Sequence, residues 1–265
     1  MAPTVLVALA PMKFIVGPIA ICVALIVGPV IIALFRPALR ELRLRRKGIN
    51  LELAGRPAEA EACYRASVAL SRKLPKSQQV RALACLANSL IDQDRWDEAR
   101  PHLDQALALG DEVGGAQASM ADLLLRERSH PQTAIALAEE ALQRYVHHVD
   151  AQYPSEFGNH LITLQQVVFW SRKAEALVQL GSRGQAQEET DEALRTLDTI
   201  QPHFMAETLV RLHEMSAHWH LALALLSLGD NGKAADHLRL ARDLDPKGKY
   251  RILTQQRLAQ LGYSS

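Results

Sequence analysis

One small residue recurs along this chain in a fixed relation to a turn, and that recurrence restricts the fold more than any other feature. Ala60, Ala99, Ala134, Ala186 and Ala234 each follow a turn-forming tripeptide at the same offset. The tripeptides are Gly55-Arg56-Pro57, Asp94-Arg95-Trp96, Ser129-His130-Pro131, Gly181-Ser182-Arg183 and Gly229-Asp230-Asn231. Four residues after each alanine comes Tyr64, Leu103, Ala138, Thr190 or Leu238. Seven after it comes a small residue: Ser67, Ala106, Ala141, Ala193 or Ala241. Such positions share one helical face. Small residues suit a face that a second helix approaches closely, because a large side chain there overpacks the contact by about 1–3 kcal/mol. The spacing therefore predicts five helical hairpins, each with a first helix, a tight turn and a second helix carrying the alanine. The extra length between markers falls in 71–79, 146–160 and around 201–206. The first helices of the last two hairpins are accordingly predicted to be long. Aromatic residues make up only 5% of the chain, Ala and Leu dominate, and no alternating strand-like runs stand out. The fold class is all-α.

In the last copy, Leu221, Ala222 and Leu225 precede Gly229-Asp230, and Ala234, Leu238, Ala241 and Asp245-Pro246 follow. Leu86-Ala87 and Leu90 ahead of Asp94 repeat the arrangement. This pattern resembles the tetratricopeptide repeat, a 34-residue helix–turn–helix unit. The resemblance covers about residues 41–262. It implies a repeat solenoid over 48–246 whose first helices line a concave face that holds a partner protein or peptide. Residues 247–265 then supply a capping helix and tail, with an apolar stripe of Tyr250, Leu253, Leu258 and Leu261 and a helix-ending Gly262. Counting back from Gly229 puts Trp219, Leu223 and Leu226 at the fifth, ninth and twelfth places of a first helix, which the resemblance turns toward the concave side. The same places hold Ala84, Asn88 and Ile91 in the second copy and Ser171, Glu175 and Val178 in the fourth. The candidate partner-binding residues are Arg81, Asn88, Glu175, Trp219, Leu223 and Leu226. Trp219 is either an exposed anchor or core covered by the long fifth pair or the terminal helix. A subclass of the family grips C-terminal carboxylates with Lys and Asn. Asn88 matches it, but Ala84 stands where the Lys is expected, so that activity is not carried over.

Phe14 to Phe35 contains no charged residue. Roughly 20 helical residues cross a bilayer core, so 14–35 is expected to be an uncleaved transmembrane helix after a short segment 1–13. The run ends in Phe35-Arg36-Pro37, without the small-residue exit of a signal peptide. Arg36, Arg40, Arg43, Arg45, Arg46 and Lys47 follow, a basic juxtamembrane segment over 36–47. Cationic flanks stay on the cytoplasmic side, which predicts a single-pass inner-membrane protein with cytoplasmic repeats. These six residues are the candidate membrane-surface contacts. The layout resembles bacterial membrane-tethered repeat scaffolds. A periplasmic, translocon-associated chaperone-like protein with reversed topology is the alternative, and an enzyme or regulator of unrecognised chemistry a further one.

The net charge of +1 and the mixed signs along the repeats argue against nucleic acid as a partner. Cys22, Cys63 and Cys85 form no CxxC pair and are expected to be free thiols. His147-His148, His218 and His220, and His213 and His220 are spaced without a completing carboxylate or cysteine, so no metal ligands are assigned. Phosphate-loop, dinucleotide and nucleophile-elbow motifs are missing. No catalytic or cofactor-binding residues are expected.

Overall fold

The computed structural model describes residues 36–153, 156–200, 208–245 and 248–263. The expected segments 1–13 and 14–35, with Cys22 and the insertion at 201–206, lie outside the described residues. Among those described, no helix is long and apolar enough to cross a membrane.

Eleven helices are described, paired into five hairpins and a final helix. The first hairpin joins α1, residues 36–53, to α2 (Pro57–Ser71). The next two are α3 (Lys76–Ile91) with α4 (Trp96–Leu109), and α5 (Gly115–Arg126) with α6 (Pro131–Gln152). The last two are α7 (Glu156–Gln179) with α8 (Arg183–Asp198), and α9 (Thr208–Leu228) with α10 (Asn231–Leu244). The final helix is α11 (Lys249–Gln260). The long first helices predicted for the last two copies are α7 and α9, of 24 and 21 residues.

Each first helix ends in the same way. Gly55, Asp94, Arg128, Gly181 and Gly229 all take positive φ. The next backbone N–H then reaches back five residues: Arg56 to Leu51, Arg95 to Leu90, Ser129 to Leu124, Ser182 to Leu177 and Asp230 to Leu225, at 2.8–3.0 Å. This closure satisfies carbonyls that a helix end leaves open, and glycine reaches the required left-handed geometry without steric cost. The second helix starts immediately, and each marker alanine donates its N–H to the carbonyl of the residue preceding that helix. All five markers are buried. So are Ser67, Ala106, Ala141, Ala193 and Ala241, which places the predicted small-residue face against the neighbouring helices.

The third turn departs from the predicted alignment. Its left-handed residue is Arg128, not Ser129, and His130 is left-handed as well. One extra residue sits in this turn, while Ala134 keeps the same place in its helix. That insertion is why the third copy reads weakly.

The basic segment is not separate from the repeats. Residues 36–53 form one helix, so the boundary expected after Lys47 falls inside α1. Glu41 is buried and accepts from Ser67 Oγ at 2.8 Å and Arg45 Nε at 3.2 Å. Glu41, Arg45 and Gly48 share a helical face that meets α2, and a Cβ on Gly48 would fall 2.5 Å from the Tyr64 ring. Arg45 is therefore turned inward, whereas Arg36, Arg40, Arg43, Arg46 and Lys47 are exposed.

The terminal helix does more than cap the array. Tyr250 and Leu258 pack with Met215, Trp219 and Leu238 of α9 and α10. At its start α11 meets the opposite end of the array: Gly248 lies against the Leu53 carbonyl, and Lys249 Nζ pairs with Asp92 Oδ2 at 2.9 Å. The concave side is thereby closed back onto the first two hairpins. Gly262 ends α11 with φ 79° and the Tyr263 N–H bonds the Leu258 carbonyl, the closure used by every first helix.

Candidate binding groove

Counted from the left-handed turn residue, the ninth places of the second to fifth first helices are Asn88, Asp122, Glu175 and Leu223. The twelfth are Ile91, Leu125, Val178 and Leu226. The lining of the concave side follows this count. A cavity of about 590 Å³ is bounded by Asp122, Leu125, Glu175, Val178, Leu223 and Leu226 together with residues of the α3–α4 turn and α11. A second, of about 230 Å³, continues past Asn88 and Ile91 toward α11. Glu175, Leu223 and Leu226 border the first cavity and Asn88 the second. Arg81 is exposed on α3 and borders neither cavity.

The fifth places behave differently. Ser171 is buried and donates back to the Val167 carbonyl at 2.7 Å. Trp219 is only 5% exposed and meets Tyr250 edge-on, with ring centroids 6.3 Å apart. The expectation of an exposed Trp219 anchor is therefore corrected: α11 covers the indole and makes it core.

The walls of the groove carry charge in two forms. Asp122 and Arg172 form a bidentate pair at 2.6 and 2.7 Å. Burial pushes the Asp122 carboxyl up, but Arg172, His220 and Arg126 more than offset this and hold it below the usual range. Burial drives His220 down to about 3, against the pull of Asp122, so its imidazole is neutral at pH 7. Glu175 has no such clamp. Burial, opposed by Arg126 and reinforced by Asp122, pushes its carboxyl up to about 7. Two further polar atoms along the wall, Trp96 Nε1 and Gln179 Oε1, are buried with no hydrogen-bond partner among the described residues.

Where α11 meets the first hairpins, Tyr64 donates to Glu52 at 2.8 Å. Burial raises Glu52, while Lys249 lowers it. Burial lowers Lys249, but Asp92, Tyr250 and Glu52 reverse this and keep it charged.

The histidine spacing hid one real pairing. His218 on α9 meets His237 on α10, Nδ1 to Nδ1, at 2.9 Å. One ring donates and the other accepts, so the accepting ring is neutral, and burial disfavours the charged form of both. Among the described residues no group of three histidine, cysteine or acidic side chains is placed to hold a metal. Burial, then His237, brings His218 down to about 4. In the unfolded chain a histidine binds its proton near 6.5. The folded state is therefore penalised as pH falls from 6.5 toward 4, and the pair's contribution is full only above that window. For His218 alone the expected loss at pH 5 is on the order of 2 kcal/mol. Urea midpoints of the native chain and His218→Gln at pH 7 and pH 5 check this: the variant should lose correspondingly less between the two pH values. Equal losses would mean that folding leaves the His218 imidazole at its ordinary pKa near 6.5.

Tetratricopeptide repeat family models match residues 41–109, and 85–145 together with 171–249. The unmatched stretch 146–170 is where α6 and α7 run on beyond their neighbours. No curated protein matches the chain.

Proposed function

Because the chain belongs to the tetratricopeptide repeat family, we propose that it is a membrane-tethered scaffold, not an enzyme, that holds a partner polypeptide in its concave groove. The observation that carries this reading is the convergence of the ninth and twelfth places of successive first helices on one cavity of about 590 Å³. Its walls alternate apolar side chains with charged ones, the mixture that positions a peptide. Of the ionisable groups in the cavity, Asp122 is locked to Arg172 and His220 is neutral beside it, while Glu175, pushed up to about 7 by burial, stands without a clamp. The tether rests on the uncharged run 14–35 and on the cations that follow. Five of those six project from α1 into solvent, free to meet anionic headgroups at about 1 kcal/mol each.

A photo-crosslinking residue placed at Leu226 in the membrane-extracted full chain should capture a discrete polypeptide. The same residue at Leu240, exposed on α10 outside the cavity, should not. Equal capture at both places would remove the groove from the reading. A C-terminal reporter active only in the periplasm should be silent in the same chain. Activity of that reporter would reverse the topology and favour the periplasmic chaperone-like alternative.

A further inference from the structure

Most arginines of the repeats are accounted for by ion pairs. Arg45, Arg56, Arg65, Arg95, Arg100, Arg144 and Arg172 each have a carboxylate partner. Among the described residues, Arg126 on α5, Arg128 in the following turn and Arg257 on α11 have none, and all three border the same cavity. Arg257 donates to Gln260 at 3.0 Å. Three elements distant in sequence thus bring guanidinium groups to one concave space. The buried Trp96 N–H, without a partner among the described residues, borders it too. The acidic groups facing the space are Asp94, Asp122 and Glu175. Asp122 is neutralised by Arg172, and His220 adds no charge.

We propose that this cavity receives an acidic segment of a polypeptide, whose carboxylates meet Arg126, Arg128 and Arg257. The inference rests on the groove reading above and specifies the chemistry of its occupant. Unpaired guanidinium groups are rigid forks of donors suited to carboxylates. The ligand also has to tolerate Glu175. With its carboxyl pushed up to about 7 by burial, Glu175 repels an acidic ligand at pH 8 and loses that charge at pH 6. The side chains of the ligand itself, near 4.3 in free peptides, stay ionised across this interval.

The experiment uses the purified full chain and three fluorescent peptides of about twelve residues: poly-glutamate, poly-lysine and a glycine–serine peptide. Anisotropy titrations at fixed ionic strength should show poly-glutamate binding tightest, and tighter at pH 6 than at pH 8. Arg126→Gln and Arg257→Gln should each weaken it by about ten-fold, with unchanged circular dichroism and melting. Arg72→Gln, on an exposed residue outside the cavity, should leave it unchanged. Glu175→Gln should abolish the pH dependence. Poly-glutamate binding that is absent, no tighter than that of the other peptides, or indifferent to Arg126→Gln and Arg257→Gln overturns the proposal. If the glycine–serine peptide binds instead and a crosslinker at Leu226 captures it, the groove reading stands and the acidic occupant fails alone.

Discussion

Ala99→Asp and Ala234→Asp should each abolish the cooperative unfolding of the chain as it now stands. Both alanines are 0% exposed. Ala99 sits among Leu86, Ala87 and Leu90 of α3, and Ala234 among Leu221 and Leu225 of α9. The added volume alone costs about 1–3 kcal/mol. An unpaired carboxylate, or the proton needed to neutralise it, adds several more. The total, on the order of 5 kcal/mol, matches the lower end of whole-domain stability. In a repeat array each unit leans on its neighbours, so the two variants should fail differently. Ala99→Asp interrupts the array near its start and should broaden the whole urea transition. Ala234→Asp should first release α10 and α11, which a protease would report as cleavage after Arg242 or Arg257. The control is Ala108→Asp, on the exposed face of α4, expected to stay within about 0.5 kcal/mol of the native chain. Native-like melting of both buried variants would mean that the alanines do not face a partner helix.

The repeat register was legible because it is local. A turn residue, a helix start and a small-residue face recur within some twelve residues, and the backbone bonds that enforce them also span five or fewer. What escaped was whatever depends on bringing distant segments together. The pairing of Lys249 with Asp92 joins residues 157 apart, and nothing near either residue announces it. Without that contact, α11 reads as a cap with one solvated face, and the sequence does not decide whether Trp219 is an exposed anchor or core beneath the terminal helix. His218 and His237 escaped for the same reason, since their contact runs between two helices rather than along one. Asp122 escaped through a local irregularity: the extra residue after Arg128 displaces the third copy's turn by one place. Counting from the left-handed residue rather than from the turn's polar cluster would have recovered Asp122 as a concave position. That Asn88, Glu175, Leu223 and Leu226 border the cavities was legible as placement, while the chemistry of the larger cavity arises only where α5, α7, α9 and α11 meet.

Trp219→Ala should destabilise the chain by about 3–5 kcal/mol, the range for emptying a buried aromatic site. The indole fills the space among Met215, Ala222, Ala235, Leu238, Tyr250 and Leu258, so its removal leaves a cavity at the seat of α11. That helix is short, and an isolated helix of such length is marginal in water. Its order therefore depends on this packing and on the Lys249–Asp92 pair. The expected result is a lowered melting temperature together with fast amide exchange along α11, while α3, α4 and the markers near Ala99 keep their protection. Trp219→Phe keeps an aromatic ring in the site, leaves a smaller cavity and should recover part of the stability. Lys249→Gln should loosen the start of α11 with a smaller cost, because its ion pair is partly exposed. An exposed anchor would behave in the opposite way: truncation would leave melting and exchange untouched and weaken only the capture of a partner. Unchanged melting and unchanged α11 exchange in Trp219→Ala would return the indole to the surface and detach α11 from the groove.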